Sequence, residues 1–108
     1  MRWIIKYSAA AKRDLNAIYE YVAFVLLAPK TAADMIHQLT QTIKSLDTMP
    51  LRYPVYDYEP WNMQNLRVTS VKNYLVFYLP DEKNQTVTVV RIIYGGRDLA
   101  KQLEENER

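Results

Sequence analysis

The side chains that could carry chemistry in this chain are arginines, tyrosines and carboxylates. The 108 residues include no cysteine and one histidine, so the sequence offers neither a disulfide framework nor a thiolate metal site. A lone imidazole does not make a zinc site, and His37 lies beside an apolar helical stripe, where a surface or structural role is expected. No metal and no cofactor are therefore predicted.

The densest group of such side chains falls between Met49 and Asn65, where three prolines exclude helix and discourage a central strand. Aromatic and acidic residues are interleaved there: Tyr53, Tyr56, Asp57, Tyr58, Glu59 and Trp61. Two interpretations are open. The rings fold over the end of the core, or the loop contacts a target.

The elements before this loop follow from capping and helical spacing. Residues 3–7 are β-branched and aromatic, and Ser8 can cap the helix that follows. Apolar residues at steps of three and four predict helices over about 9–27 and 30–47, separated at Pro29. The short connection predicts an antiparallel helical hairpin.

The last third of the chain changes to a period of two, which predicts strands at 65–71, 73–80 and 86–94 in an antiparallel meander. Residues 74–79 are apolar on both faces, so this strand is predicted to be central. The hairpin covers one face, and a partner or the C-terminal segment is expected on the other. A short helix over 98–105 completes an α+β order of β-α-α-β-β-β with a C-terminal helix.

Composition sets the class of protein. The chain is 49% hydrophobic and 24% charged, which predicts one packed domain over residues 1–108. Residues 1–103 carry 13 basic and 9 acidic side chains, a mildly basic balance that does not by itself indicate nucleic acid. The sequence has neither a signal-peptide pattern nor a stretch of about 20 apolar residues, so a cytoplasmic location and no membrane partner are expected.

Three strings in this order resemble the RelE/ParE toxins of bacterial type II toxin–antitoxin systems. They are Arg52-Tyr53-Pro54, the strand from Asn73 to Tyr78, and the stretch from Arg91 to Asp98. Tyr-Ser-x-x-Ala at residues 7–11, Asp14-Leu15 and Met49-Pro50 add to the likeness, which covers nearly the whole chain. The resemblance implies a RelE-like fold, with the helical hairpin packed on an antiparallel sheet, and a cognate antitoxin that wraps the helices and sheet of the toxin.

The resemblance also implies one of two targets. RelE-like members cut mRNA in the ribosomal A site, whereas ParE-like members bind and inhibit DNA gyrase. A ribosome-dependent mRNA endonuclease that inhibits translation is the first expectation for this chain. A ParE-like gyrase inhibitor is the alternative, as is a catalytically inactive partner that binds an antitoxin in promoter autoregulation.

RNA cleavage through the 2′-hydroxyl needs a base, an acid and cations around the phosphate. Family positions match Arg67, Arg97, Tyr94 and Glu59, so these are the predicted catalytic residues. In that hypothesis Arg67 and Arg97 hold the phosphate, while Glu59 or Tyr94 handles protons. The residues predicted to bind substrate are Arg91, Lys72 and Arg52.

The chain departs from RelE proper in ways that put the nuclease assignment in doubt. Asp57 and Glu59 stand where RelE proper has a lysine-rich segment, and its final tyrosine would fall near Leu103. Strand alternation also places Arg91 and Tyr94 on opposite faces of the sheet. A gyrase inhibitor needs no catalytic residues, so this alternative is compatible with these departures.

Overall fold

The computed structural model describes residues 2–59 and 61–95. The regular elements in these ranges are β1 (Ile4–Tyr7), α1 (Ala9–Glu20), α2 (Pro29–Lys44), β2 (Arg67–Val71), β3 (Tyr74–Asp81) and β4 (Thr86–Tyr94). Each predicted strand in this part of the chain is confirmed to within two residues at its ends, and both predicted helices form, although α1 ends at Glu20 and not near residue 27. The predicted C-terminal helix and Arg97 lie outside the described residues.

Ser8 joins the start of α1 to the sheet. Its hydroxyl accepts a hydrogen bond from the Ala11 N–H at 3.0 Å, which confirms the predicted N-cap. The same hydroxyl donates to the Val90 carbonyl at 2.7 Å, and the Ser8 N–H donates to the Val89 carbonyl at 2.9 Å. One residue therefore satisfies the helix terminus and fixes α1 against β4.

The helical hairpin forms as predicted, but its first helix changes type before it ends. After Glu20 the backbone continues as a π-helix over Tyr21–Val25, and α2 begins at Pro29. Proline suits a first helical position because it has no N–H to leave unpaired. The end of α2 tightens into a 3₁₀ turn at Ser45–Asp47.

The four strands form one sheet in the order β1-β4-β3-β2. The meander β2-β3-β4 is antiparallel as predicted, and β1 lies parallel to β4, so the sheet as a whole is mixed. A register shift at Phe77/Tyr78 in the β3–β4 pairing leaves Val90 without an opposite residue. Such a bulge bends a strand and changes where its side chains point.

Both faces of β3 are buried, as predicted for a central strand. Val76 belongs to the core between the sheet and the helices, with Ile18 and Leu39. Phe77 faces the other way and packs with Trp61. Among the described residues, the cover on this second face comes from the proline-rich loop. The C-terminal segment that was predicted to lie there, if not a partner, falls outside the described residues.

Candidate functional site

Arg67 begins β2 and holds the loop that follows α2. Its Nη1 donates to the carbonyl oxygens of Leu51 at 3.0 Å and Tyr53 at 2.6 Å. Val55 forms a β-bridge with Arg67 itself, so the loop crosses this end of the sheet as a short extra strand. The guanidinium therefore satisfies backbone carbonyls of its own chain.

Tyr78 lies opposite Arg67 on β3 and anchors the same loop. Its hydroxyl donates to the Pro50 carbonyl at 2.6 Å, and the side chain is fully buried. Burial raises the pKa of the Tyr78 phenol to about 12, against a smaller opposing effect of the Arg67 and Arg52 charges. At neutral pH this tyrosine is a hydrogen-bond donor to the backbone.

Arg52 forms hydrogen bonds just after the end of α2. Its Nη1 donates to the carbonyls of Thr48 and Met49, and its Nη2 donates to the Ser45 hydroxyl at 3.2 Å. The guanidinium also lies over the Tyr53 ring, 4.7 Å from its centroid. A cation among the last carbonyls of a helix satisfies their orphan acceptors and complements the helix dipole.

Arg91 pairs with Asp14, a residue that the sequence pattern marked only as part of a family string. Nε and Nη2 of Arg91 donate to the two carboxylate oxygens at 2.7 and 2.9 Å, and the Ile92 N–H donates to Asp14 at 2.9 Å. The side chains are only 12% and 15% exposed. Asp14 lies three residues from Ala11 and one from Leu15. That position beside an apolar stripe is the signal in the sequence that could have identified Asp14 as a partly buried carboxylate with a cation as its partner.

Tyr94 and Lys72 lie at the other end of the sheet from Arg67. Tyr94 ends β4, is 45% exposed and packs edge-on against Tyr74, with ring centroids 5.7 Å apart. Lys72 is exposed in the β2–β3 turn, and the Gly95 N–H donates to the Asn73 carbonyl of this turn at 2.8 Å. Tyr94 and Lys72 therefore lie at the same end of the sheet, here called the Tyr94 edge.

The sheet register separates Arg67 from Tyr94. Arg67 pairs with Tyr78 and Tyr94 pairs with Tyr74, so their partners are four residues apart on β3. Four residues of strand correspond to about 13 Å along the sheet. Glu59 is exposed in the loop on the opposite sheet face from the helices. The structure does not bring Arg67 and Tyr94 together as one phosphate site.

The aromatic loop divides between core and surface. Tyr56 packs edge-on against Phe77 with ring centroids 5.1 Å apart, and Trp61 is buried beside them. Tyr58 rests on Tyr56 at 4.9 Å but stays exposed. The core interpretation therefore holds for Tyr56 and Trp61, and the Tyr58 ring is exposed to solvent.

Within residues 2–59 and 61–95, no group of three or more histidine, aspartate or glutamate side chains could hold a metal ion. No helix in these ranges is long and apolar enough to cross a membrane.

Solved structures of other proteins share this fold. A chain of the chromosomal ParDE toxin–antitoxin system from P. aeruginosa superposes with a TM-score of 0.70 at 19% identity, covering 86% of this chain and 96% of that one. The RelBE2 toxin–antitoxin complex from Mycobacterium tuberculosis gives 0.62 at 19% identity, over 87% and 92%. A mutant of the E. coli toxin RelE in its free state gives 0.66 at 11% identity, over 98% and 94%. These structures share the fold of two helices on a mixed four-stranded sheet.

The family follows from the sequence. Residues 5–99 match the model of the ParE toxin of the type II toxin–antitoxin system parDE, so the chain belongs to the ParE toxin family. No curated protein matches it in sequence. The predicted membership in the RelE/ParE toxins is confirmed.

Proposed function

We propose that this toxin arrests growth in the cytoplasm by binding DNA gyrase, as the ParE resemblance implies, and that a cognate antitoxin neutralises it. The observation that supports gyrase binding over RNA cleavage is the hydrogen bonding of three arginines. Arg67, Arg52 and Arg91 each donate to groups of their own chain. Unless a phosphate displaced those partners, it could use only the guanidinium donors that these contacts leave over.

The cost of such displacement differs among the three. Arg52 is exposed, so water can replace its carbonyl partners at small cost. Freeing Arg91 would leave Asp14 as a nearly buried carboxylate without its cation, which costs several kcal/mol. Freeing Arg67 would release the loop at Leu51 and Tyr53. Preorganised catalysis requires donors already directed at the reacting group, and the donors of Arg67 and Arg91 are directed at groups of their own chain.

RNA cleavage is the second candidate, and the placement of Tyr94 favours it. Tyr94 is half exposed, and Lys72 lies on the same edge of the sheet. A nuclease built on this edge would use the Tyr94 phenol for proton transfer and Lys72 for the phosphate charge, together with Arg97 as the resemblance implies. Arg67 would then contribute only through the fold.

Paired assays on the purified toxin separate the candidates. We expect inhibition of gyrase supercoiling, and no codon-linked cuts by primer extension on mRNA translated with purified ribosomes. Cuts that disappear in Tyr94→Phe, with supercoiling untouched, would show that the gyrase proposal is wrong and RNA cleavage right. Tyr74→Phe is the matched control, because Tyr74 packs against Tyr94 but is less exposed.

A negative result in both assays is also informative. If neither gyrase nor mRNA is affected and expression without the antitoxin leaves growth unchanged, the third alternative, an inactive partner, is supported. The chain is then an inactive partner that binds an antitoxin in promoter autoregulation. That reading requires a mobility shift on promoter DNA that needs both proteins.

A further inference from the structure

The turn end of the helical hairpin, residues 19–27 and here called the hairpin tip, presents apolar side chains to solvent. Phe24 is 68% exposed, Val25 65% and Leu27 80%. Tyr19 packs edge-on against Phe24, with ring centroids 6.2 Å apart. No residue from 21 to 29 is charged. Contiguous apolar surface of this kind on a small soluble protein indicates an interface.

The backbone of the hairpin tip is irregular in two independent ways. Tyr21–Val25 is a π-helix, a rare geometry that is frequently found at functional sites. Leu27 has a φ of 54°, in the left-handed region that a leucine side chain disfavours. Both irregularities lie in the segment that carries the exposed side chains.

The irregular segment is nevertheless packed against α2. Val22 and Ala23 are buried against Ala32 of α2. The Ala28 N–H donates to the Val22 carbonyl at 3.0 Å and so closes the turn. Phe24 to Leu27 are therefore held outward on a packed base, which makes the hairpin tip a preorganised surface with little ordering cost on binding.

We propose that the hairpin tip is the interface of a homodimer in which two copies meet about a twofold axis. A twofold interface places each patch against its own copy, so the patch must be complementary to itself. The exposed side chains from Phe24 to Leu27 meet that condition because they are apolar and uncharged, and Glu20 is the one charged residue of the hairpin tip. The proposal does not depend on which target the toxin attacks.

The exposed area is sufficient for such a dimer. Tyr19 and the side chains from Phe24 to Leu27 expose roughly 500 Å² per copy, about 1,000 Å² for two, which is the lower limit of specific interfaces. An interface at this lower limit is expected to be weak and reversible. The free toxin would therefore be a dimer only at high concentration.

Sedimentation equilibrium on the antitoxin-free chain, from about 1 to about 200 µM, tests this weak association. We expect an average mass that rises from one copy toward two, and Phe24→Glu to weaken dimerisation at least tenfold. Met63→Glu is the control, because Met63 is 82% exposed but lies in the loop that covers the opposite face of the sheet. Both positions are exposed, so folding should survive either change.

Cysteine cross-linking gives a second readout, because the chain contains no cysteine of its own. Val25→Cys should form disulfide-linked dimers on mild oxidation at least tenfold faster than Met63→Cys. A single-copy mass at every concentration, or equal cross-linking rates, would overturn the homodimer. If the free chain stays monomeric and Phe24→Glu loses antitoxin binding, the hairpin tip belongs to the antitoxin instead.

Discussion

The ion pair between Asp14 and Arg91 is expected to stabilise the fold by an amount that can be measured. Removing one partner of a fully buried pair costs about 3–5 kcal/mol. Here the side chains are 15% and 12% exposed, so some solvent reaches the charge that is left behind. Asp14→Ala also removes the acceptor of the Ile92 N–H, worth about 1 kcal/mol. We expect Asp14→Ala to lower the free energy of unfolding by about 3 kcal/mol.

Urea denaturation of the antitoxin-free chain measures this loss, and an unchanged m-value would show that the unfolded state is not altered. Arg91→Met tests the other partner, and the double variant Asp14→Ala/Arg91→Met completes the cycle. Because removing both charges leaves neither unpaired, we expect the double variant to recover at least about 1.5 kcal/mol relative to the sum of the single losses. Single losses below about 0.5 kcal/mol, or strictly additive losses, would refute a structural ion pair.

Two further predictions concern the loop and the core. The pKa of Tyr78 is about 12 in the fold and about 10 in the unfolded chain, so only the unfolded chain loses this proton between pH 10 and 12. Stability should therefore fall by up to about 2 kcal/mol more across that range than it does in Tyr78→Phe; parallel pH profiles in urea melts would contradict the assignment. Leu39→Asp buries a charge at a site with no solvent exposure, so this variant should not fold, as measured by circular dichroism. The control Gln38→Asp changes an exposed residue and should fold. A folded Leu39→Asp variant would show that the assigned buried face of the helix is wrong.

Local signals in the sequence account for most of the elements. Ser8 caps α1 where an N-cap residue precedes an alanine run, and the strands at 67–71, 74–81 and 86–94 follow a two-residue period. The π-helix at Tyr21–Val25 was not predictable, because the steps of three and four that predict a helix over 9–27 do not distinguish a π-helix from an α-helix. The parallel pairing of β1 with β4 was not predictable either, since a strand pattern does not name its neighbour.

The functional residues were harder to interpret than the fold. A residue type reveals that a guanidinium is present, but its partner depends on contacts far along the chain. Asp14 and Arg91 are 77 residues apart in sequence, and Arg67 meets Leu51 across 16. No periodicity carries that information. Predicted roles in substrate binding for Arg91 and Arg52 stay predictions, and the structure gives both side chains partners within the fold.

This geometry explains why the family strings identify the fold more firmly than the target. Arg52-Tyr53-Pro54 supplies the cation at the end of α2 and a carbonyl that Arg67 holds. The stretch that begins at Arg91 contributes the ion pair that joins β4 to α1. Residues that secure the chain to itself would be needed by a nuclease and by a gyrase inhibitor alike, because both use the same scaffold. The surfaces that differ between such toxins should therefore be sought away from these strings, at Tyr58, at the edge around Tyr94 and at the hairpin tip.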